Sequence, residues 1–174
     1  MSVRGVIAFA FAGSAERVRS YIFAINALKR RGHRRLAHLL CRRLERRYGV
    51  FISVDADVPS STRLPHPIGI VIGKGVRLGE GVVIYQNVTL GGRNRGDGRR
   101  GQYPVVGDGT VVFAGAVLIG GIEVGSGSVV GANAVVLSDV PSNSVAAGVP
   151  ARIRAVRPAS AERPSSSPTC QSEM

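Results

Sequence analysis

The chain has 174 residues, of which 44% are hydrophobic and 20% are charged, which suits one domain around one core and excludes two domains of ordinary size. Aromatic residues make up only 5% and tryptophan is absent, so aliphatic side chains must fill the core. The formal net charge of +12 suits an anionic partner, which can be a nucleic acid, a membrane surface or a polyanionic small molecule.

Residues 1–50 are predicted to form a helical prefix. The run from Val3 to Ala12 is apolar apart from Arg4, but it is too short for a typical secretory signal, and we do not expect secretion. One helix is predicted from Ser14 to Gly32 and a second from about His33 to Tyr48, because apolar residues recur there at threes and fours. These apolar residues are Val18, Ile22, Ile25 and Leu28 in the first helix, and Leu36, Leu39, Leu40 and Leu44 in the second.

The prefix carries much of the positive charge. Nine lysines and arginines lie between residues 29 and 47, against the single acid Glu45. Only Tyr48 is aromatic near the end of this stretch, whereas surfaces that bind single-stranded nucleic acid use aromatic rings to stack bases. We therefore expect no nucleic acid partner, while contact with an anionic membrane remains open. A basic binding module on a passive scaffold is one alternative class of function.

The two cysteines, Cys41 and Cys170, fit neither a metal-ligand spacing nor a disulfide framework. We expect both to be reduced thiols. The expected location is the cytoplasm, with peripheral contact at the inner face of the membrane as an option.

An internal repeat of six residues is the strongest pattern in the sequence. Such a period matches neither an α-helix nor a long alternating strand. It fits a coil of short strands, each of which gives one aliphatic side chain to the axis and is followed by a bend, so that three strands complete one turn. We assign residues 51–155 to this coil domain. The repeated positions are Ile72, Leu78, Ile84, Leu90, Val106, Val112, Leu118, Val124, Val130 and Val136.

The period is interrupted twice. Leu90 and Val106 are sixteen residues apart, so residues 92–104 must leave the coil as a protruding loop, which usually indicates a function. Leu64 and Ile72 are eight residues apart, and His66 lies between them. Both interruptions are therefore candidate site positions. Beyond the coil, residues 156–174 contain almost no large apolar side chain and are predicted to be a disordered tail.

His66 is the only histidine in the coil, because His33 and His38 belong to the prefix. A zinc site of three histidines is therefore excluded from the coil, and we expect no metal. His66 can be a solvated loop residue or an acid–base catalyst, since an imidazole titrates near neutral pH.

Three segments, Leu64–Gly73, Asn87–Gly92 and Ala147–Arg152, resemble in their order and spacing the serine acetyltransferase family and its relatives in polysaccharide and capsule biosynthesis. The resemblance covers roughly residues 52–153. It implies a left-handed parallel β-helix of hexapeptide repeats, an exception to the usual right-handed crossover. It also implies an O-acetyltransferase that uses acetyl-CoA, a homotrimer with sites shared between neighbouring coils, and His66 as the general base.

The expected binding residues for coenzyme A come from spacing and from the resemblance. Ala114 and Ala132 are 18 residues apart, one full turn, so they should stack at one corner and leave backbone N–H groups open to a pantetheine arm. The resemblance implies Gly91 and Gly92 near the thioester. It implies further that the segment with Pro150 and Arg152 lies near the adenine end, where Arg152 or Arg154 would meet a phosphate.

Four positions depart from the family pattern. The acid that orients the family's histidine falls on Phe51, and we expect Asp55 or Asp57 to substitute for it. The acid that precedes the histidine is replaced by Pro65. The family's Arg-His pair at the end of the loop, which binds the serine carboxylate and amine, aligns with Gln102 and Tyr103, which become the expected acceptor-binding residues.

These replacements remove charges that a zwitterionic amino acid needs. The sequence therefore favours a sugar or polysaccharide hydroxyl as the acceptor. Serine, as in the serine O-acetyltransferase of cysteine biosynthesis, is the alternative.

Overall fold

The computed structural model describes residues 13–93 and 102–155. Residues 1–12 with their apolar run, the centre of the predicted loop at 94–101 and the predicted tail at 156–174 lie outside the described residues.

Two helices form the prefix, as predicted. Helix α1 spans Ser14–Arg30 and helix α2 spans Arg34–Tyr48. Helix α2 stops at Gly49, whose φ of 65° is left-handed and therefore suits glycine. The buried face of α1 consists of Val18, Ile22 and Ile25, three of the four residues predicted for its apolar stripe.

The apolar stripe predicted for the second helix is only partly right. The buried residues of α2 are Ala37, Cys41 and Leu44, and they lie on the side of the helix that packs against α1 and the first strand. Leu36 and Leu39 are instead 52% and 57% exposed. The leucines of α2 are spread over so much of its circumference that their periodicity alone does not identify the buried side. The small side chains of Ala37 and Cys41 allow α2 to pack closely against α1.

Thirteen short strands follow within the described residues. They are β1 (Val50–Ile52), β2 (Ile70–Ile72), β3 (Arg77–Leu78), β4 (Val83–Ile84), β5 (Thr89–Gly91), β6 (Val105–Val106), β7 (Val111–Val112), β8 (Val117–Ile119), β9 (Glu123–Val124), β10 (Val129–Val130), β11 (Val135–Val136), β12 (Ser144–Ala147) and β13 (Arg152–Ala155).

The strands form the three walls of a left-handed parallel β-helix, as the resemblance implies. Sheet A contains β1, β2, β5, β8 and β11; sheet B contains β3, β6 and β9; sheet C contains β4, β7, β10, β12 and the antiparallel β13. The chain visits A, B and C in turn. Residues one turn apart are therefore neighbours, as in the series Ile72, Leu90, Leu118 and Val136 across sheet A.

The axis of the coil is the hydrophobic core. All ten aliphatic positions of the six-residue period are at most 5% exposed, as the repeat predicts. Polar side chains at the bend between sheets B and C are buried as well. There the Thr110 hydroxyl donates to the Gly125 carbonyl at 3.1 Å, and the Ser128 hydroxyl donates to the Pro141 carbonyl at 2.8 Å.

Both ends of the coil are covered. At the first turn, Asn26 and Lys29 of α1 donate to the backbone carbonyls of Val58 and Ala56, at 2.8 and 2.7 Å. At the last turn, β13 folds back and pairs antiparallel with β12. These contacts use some of the backbone groups with which a further turn would pair, among them the edge of sheet C at the last turn.

Cys41 lies on the buried side of α2. It is 6% exposed and has no disulfide partner among the described residues. Burial raises the pKa of its thiol, an effect that the nearby charge of Lys29 partly offsets. The thiol therefore stays protonated and unreactive at neutral pH.

Replacing Leu118 by alanine should lower the free energy of unfolding by about 2–5 kcal/mol, because it leaves a cavity on the axis. Leu118 is 0% exposed. Urea unfolding followed by circular dichroism measures the change. Leu137→Ala is the control, since Leu137 is 41% exposed and should cost about 0.5 kcal/mol or less. Equal losses in both variants would contradict the assignment of the axis.

Candidate active site

His66 lies on the bend that leads from sheet C to sheet A. We call this bend, with residues 65–69, 85–88, 113–116 and 131–134 of successive turns, the C–A edge. Pro65 and Pro67 restrict the backbone on both sides of the histidine, and Pro67 is buried. The Ile68 N–H donates to the His66 carbonyl at 2.9 Å. The backbone of His66 is thus held in place while its imidazole is exposed to solvent.

An aromatic column runs along the C–A edge. The centroid of the His66 ring lies 6.0 Å from that of Tyr85, and Tyr85 stacks on Phe113 at 5.1 Å with an interplanar angle of 11°. Neither Tyr85 nor Phe113 was among the predicted site residues. Tyr85 directly follows Ile84, and Phe113 directly follows Val112. Because both aliphatic residues belong to the repeat, the six-residue period could have predicted that the two rings lie on the same edge.

The acids expected to orient His66 lie elsewhere. Asp55 pairs with Arg34 of α2, and its Oδ2 lies 3.9 Å from Nζ of Lys74. Asp57 forms a bridge in sheet B, one wall away from the C–A edge. Within residues 13–93 and 102–155, no hydrogen bond or ion pair reaches the His66 side chain. The structure therefore does not supply the expected substitute acid, since Asp55 is held by two cations at another bend.

Ala114 and Ala132 are neighbours on the C–A edge. The Asn133 N–H donates to the Ala114 carbonyl at 2.9 Å, and one turn earlier the Gly115 N–H donates to the Gln86 carbonyl at the same distance. Ala132 is exposed and Ala114 is half-buried. Their small side chains add little bulk to this edge, which also carries the histidine.

Gln102 and Tyr103 lie on a different bend, the one between sheets A and B, which we call the A–B edge. The Tyr103 ring covers Gly75, where an added Cβ would lie 2.3 Å from a ring carbon. Gln102 lies over Gly121, where an added Cβ would lie 3.1 Å from the Gln102 Cα. Both residues therefore flank sheet A on the side opposite to the C–A edge.

Gly91 and Gly92 also lie at the A–B edge, because Gly91 is the last residue of β5. The strands of sheet A separate this edge from His66 by about 10 Å, the span of three extended residues. A single chain thus brings Ala114 and Ala132 to the histidine's edge, but not the two glycines or the predicted acceptor-binding pair.

Pro150 and Arg152 belong to the segment that crosses the end of the C–A edge. The Val135 N–H donates to the Gly148 carbonyl at 3.0 Å, and the Ala151 N–H donates to the Val135 carbonyl at 2.8 Å. The Arg152 side chain is exposed at the start of β13. A ligand lying along the C–A edge would therefore run from the histidine, past the two alanines, toward this arginine.

Within residues 13–93 and 102–155, no three histidine, cysteine, aspartate or glutamate side chains are grouped so that they could hold a metal ion.

Comparison with protein families matches residues 103–138 to the model of the bacterial transferase hexapeptide, six repeats. Among curated proteins, the serine acetyltransferase of Staphylococcus xylosus is 36% identical over 105 residues, which are 60% of this chain and 48% of the relative. Serine acetyltransferase 2 of Arabidopsis thaliana is 37% identical over 122 residues, 70% of this chain and 37% of the relative. The chain thus spans about half the length of the curated relatives it matches, or less.

Solved structures give the same result. A serine acetyltransferase in complex with CoA is 36% identical, with a TM-score of 0.68 over 78% of this chain and 54% of the matched chain. The serine acetyltransferase from Brucella abortus strain S19 is 34% identical, with a TM-score of 0.69 over 75% of this chain and 52% of the matched chain. These matches confirm the resemblance inferred from the three sequence segments.

Two glycines, Gly115 on the C–A edge and Gly91 on the A–B edge, should differ in their tolerance of an added methyl group. At Gly115 the φ is +71° and an added Cβ would lie 2.1 Å from Oδ1 of Asn133, so Gly115→Ala should lower the free energy of unfolding by about 1–2 kcal/mol or more. At Gly91 no atom of residues 13–93 or 102–155 would lie within 4 Å of an added Cβ, so Gly91→Ala should leave stability nearly unchanged. Thermal unfolding compares the two variants, and a stable Gly115→Ala protein would contradict the packing of the C–A edge.

Proposed function

Because the chain is a hexapeptide-repeat protein related to the serine acetyltransferases, we propose that it is an acetyl-CoA-dependent O-acetyltransferase with His66 as its general base. The observation that carries the proposal is the placement of His66. Its backbone is held between two prolines, its imidazole is exposed, and it shares one edge of the coil with Ala114 and Ala132. The solved relative in complex with CoA supports the choice of donor.

The proposed chemistry is a direct transfer. An unprotonated ring nitrogen of His66 accepts the proton of the acceptor hydroxyl while its oxygen forms a bond to the thioester carbonyl carbon. When the carbon–sulfur bond breaks, the imidazolium returns the proton to the departing thiolate. The products are the acetyl ester and the free thiol of coenzyme A. Since no acid orients the imidazole within the described residues, the flanking prolines and the Tyr85 ring carry that role.

Pantetheine would lie along the C–A edge. Ala114 and Ala132 present little side-chain bulk there, so a narrow chain can approach the backbone. Arg152, exposed where the edge ends, would pair with a phosphate of coenzyme A. Pro150 belongs to the same crossing segment and would bound the adenine end.

A homotrimer would complete the site. Gly91, Gln102 and Tyr103 lie across sheet A from the histidine of their own chain, so they can serve a catalytic base only if it belongs to a neighbouring copy. The outer face of sheet A supports such packing, because Phe51 and Val71 are 40% and 38% exposed. Each site would then combine the C–A edge of one copy with the A–B edge of the next.

L-Serine is the acceptor that the comparisons support, in place of the sugar that the sequence favoured. The matched relatives are serine acetyltransferases at 36–40% identity. Gln102 and Tyr103, which the proposed trimer brings to the base of a neighbouring copy, are uncharged, but their side chains can still form hydrogen bonds with the amine or carboxylate of serine.

Replacing His66 by alanine should lower kcat for acetyl transfer at least about 100-fold, because no other group takes the hydroxyl proton. Release of the free thiol measures the rate, and calorimetry should show that coenzyme A still binds. His38→Ala is the matched control, since His38 is exposed on α2 and should keep the full rate. A His66→Ala enzyme that retains full transfer would overturn the proposed mechanism.

A panel of acceptors tests the choice of serine. With acetyl-CoA as donor, kcat/KM for L-serine should exceed that for monosaccharides and oligosaccharides at least about a hundredfold, as expected when a site pairs a substrate's polar groups. Faster transfer to a sugar would contradict serine as the acceptor. It would favour the sugar hydroxyl, in agreement with Pro65 at the position where the family has an acid. Failure with every acceptor would contradict the enzymatic function itself.

A further inference from the structure

The outer side of α2 carries a stripe of arginines and leucines that the proposed reaction does not use. Arg35, Leu39, Arg42 and Arg46 are spaced by four, three and four residues, so they lie in one row along the helix. Leu36 lies beside the row. All five side chains are exposed, on the side away from the buried Ala37, Cys41 and Leu44. We call these five residues the α2 stripe.

The remaining three arginines of α2 have partners within the protein. Arg34 pairs with Asp55, Arg43 donates to the Tyr21 hydroxyl at 3.0 Å, and the Arg47 guanidinium lies 5.8 Å from the centroid of the Tyr48 ring. In contrast, no hydrogen bond, ion pair or ring contact joins the arginines of the α2 stripe to any other described residue. The stripe is therefore cationic and uncompensated.

The leucines of the stripe are unusually exposed. Leu36 and Leu39 are 52% and 57% exposed, whereas Leu44 of the same helix is fully buried. Aliphatic side chains set among arginines suit a partner that offers negative charge and an apolar layer at nearly the same depth. The head-group and upper acyl region of an anionic bilayer has this composition.

Other occupants match the stripe less well. A second copy packed symmetrically on the same face would bring its arginines against these arginines, and like charges repel. A nucleic acid would pair with the arginines but leave the two leucines against phosphate and water, and the stripe contains no aromatic ring for base stacking.

We propose that the α2 stripe binds an anionic lipid surface, with α2 lying in the plane of the interface. The three arginines contact lipid phosphates while Leu36 and Leu39 enter the upper acyl layer. The contact is peripheral, since neither described helix is long and apolar enough to cross a bilayer. It holds the coil at the membrane through its first turn, because α2 packs on α1 and β1.

Flotation with vesicles tests the proposal on the full chain. At about 0.1 M salt the protein should float with phosphatidylcholine vesicles that contain phosphatidylserine, and not with phosphatidylcholine alone. The variant R42Q/R46Q should lower the partition coefficient roughly thirtyfold, from the loss of two arginines at the surface. Glutamine is a good helix former, so circular dichroism should show an unchanged helix content. Leu36→Ser with Leu39→Ser should also weaken binding, whereas added salt should weaken it mainly through the arginines.

Two matched controls separate the stripe from general charge and apolarity. R63Q/R77Q removes two exposed arginines of the coil, and Phe23→Ser removes a side chain of α1 that is 59% exposed; both should bind vesicles like the native protein. The proposal is overturned if anionic vesicles do not bind, if neutral vesicles bind equally well, or if R42Q/R46Q binds normally. It is also overturned if the leucine variant changes only the oligomeric state in sedimentation velocity, since the stripe would then join copies of the chain.

Discussion

The packing of one aliphatic side chain on the coil axis every six residues is the constraint on which the rest of the molecule depends. It fixes three walls and three bends, and it therefore decides which residues share an edge. Gln86, Ala114 and Ala132 occupy equivalent positions in successive turns, as the backbone hydrogen bonds between the turns show. Ile68 holds that position in the first turn, and the two extra residues there place His66 on the same edge. The long insertion after Leu90 leaves this register intact, since Leu90 still pairs directly with Leu118 in sheet A.

The features that repeat were predictable from the sequence. The period gave the axis, and the 18-residue spacing of Ala114 and Ala132 gave their stacking on one edge. His66 stood out because it interrupts the period. The left-handed coil followed from the resemblance, and the comparisons agree with it. The boundaries of the prefix, coil domain and tail, and the cytoplasmic location, stay predictions.

The features that failed depend on contacts between parts that do not repeat. Asp55 is near His66 in sequence, but Arg34 of α2 and Lys74 hold it at another bend. The buried side of α2 was predicted only in part, because the pattern of leucines does not indicate that the small residues Ala37 and Cys41 pack against α1. Tyr85 and Phe113 were not predicted as site residues, because their stacking joins two different turns of the coil. Neither residue belongs to a motif of its own in the sequence. Such pairings depend on three-dimensional neighbours that a linear pattern does not specify.

The residues expected to bind the acceptor lie on the A–B edge, away from the histidine of their own chain. Gln102 and Tyr103 therefore reach a catalytic base only where the A–B edge of one copy meets the C–A edge of another. Both lack the charges of the family pattern, so they would hold an acceptor through hydrogen bonds rather than through ion pairs.

The covered ends of the coil bear on how the molecule stays separate from its copies. A parallel β-helix grows by adding turns, and an open last turn is a template onto which another molecule's first turn can stack without limit, as in a fibril. Here β13 reverses direction along β12, so that position holds an antiparallel strand, a direction in which the coil does not propagate. Lateral association through the walls remains available, and a closed assembly is then favoured over a filament.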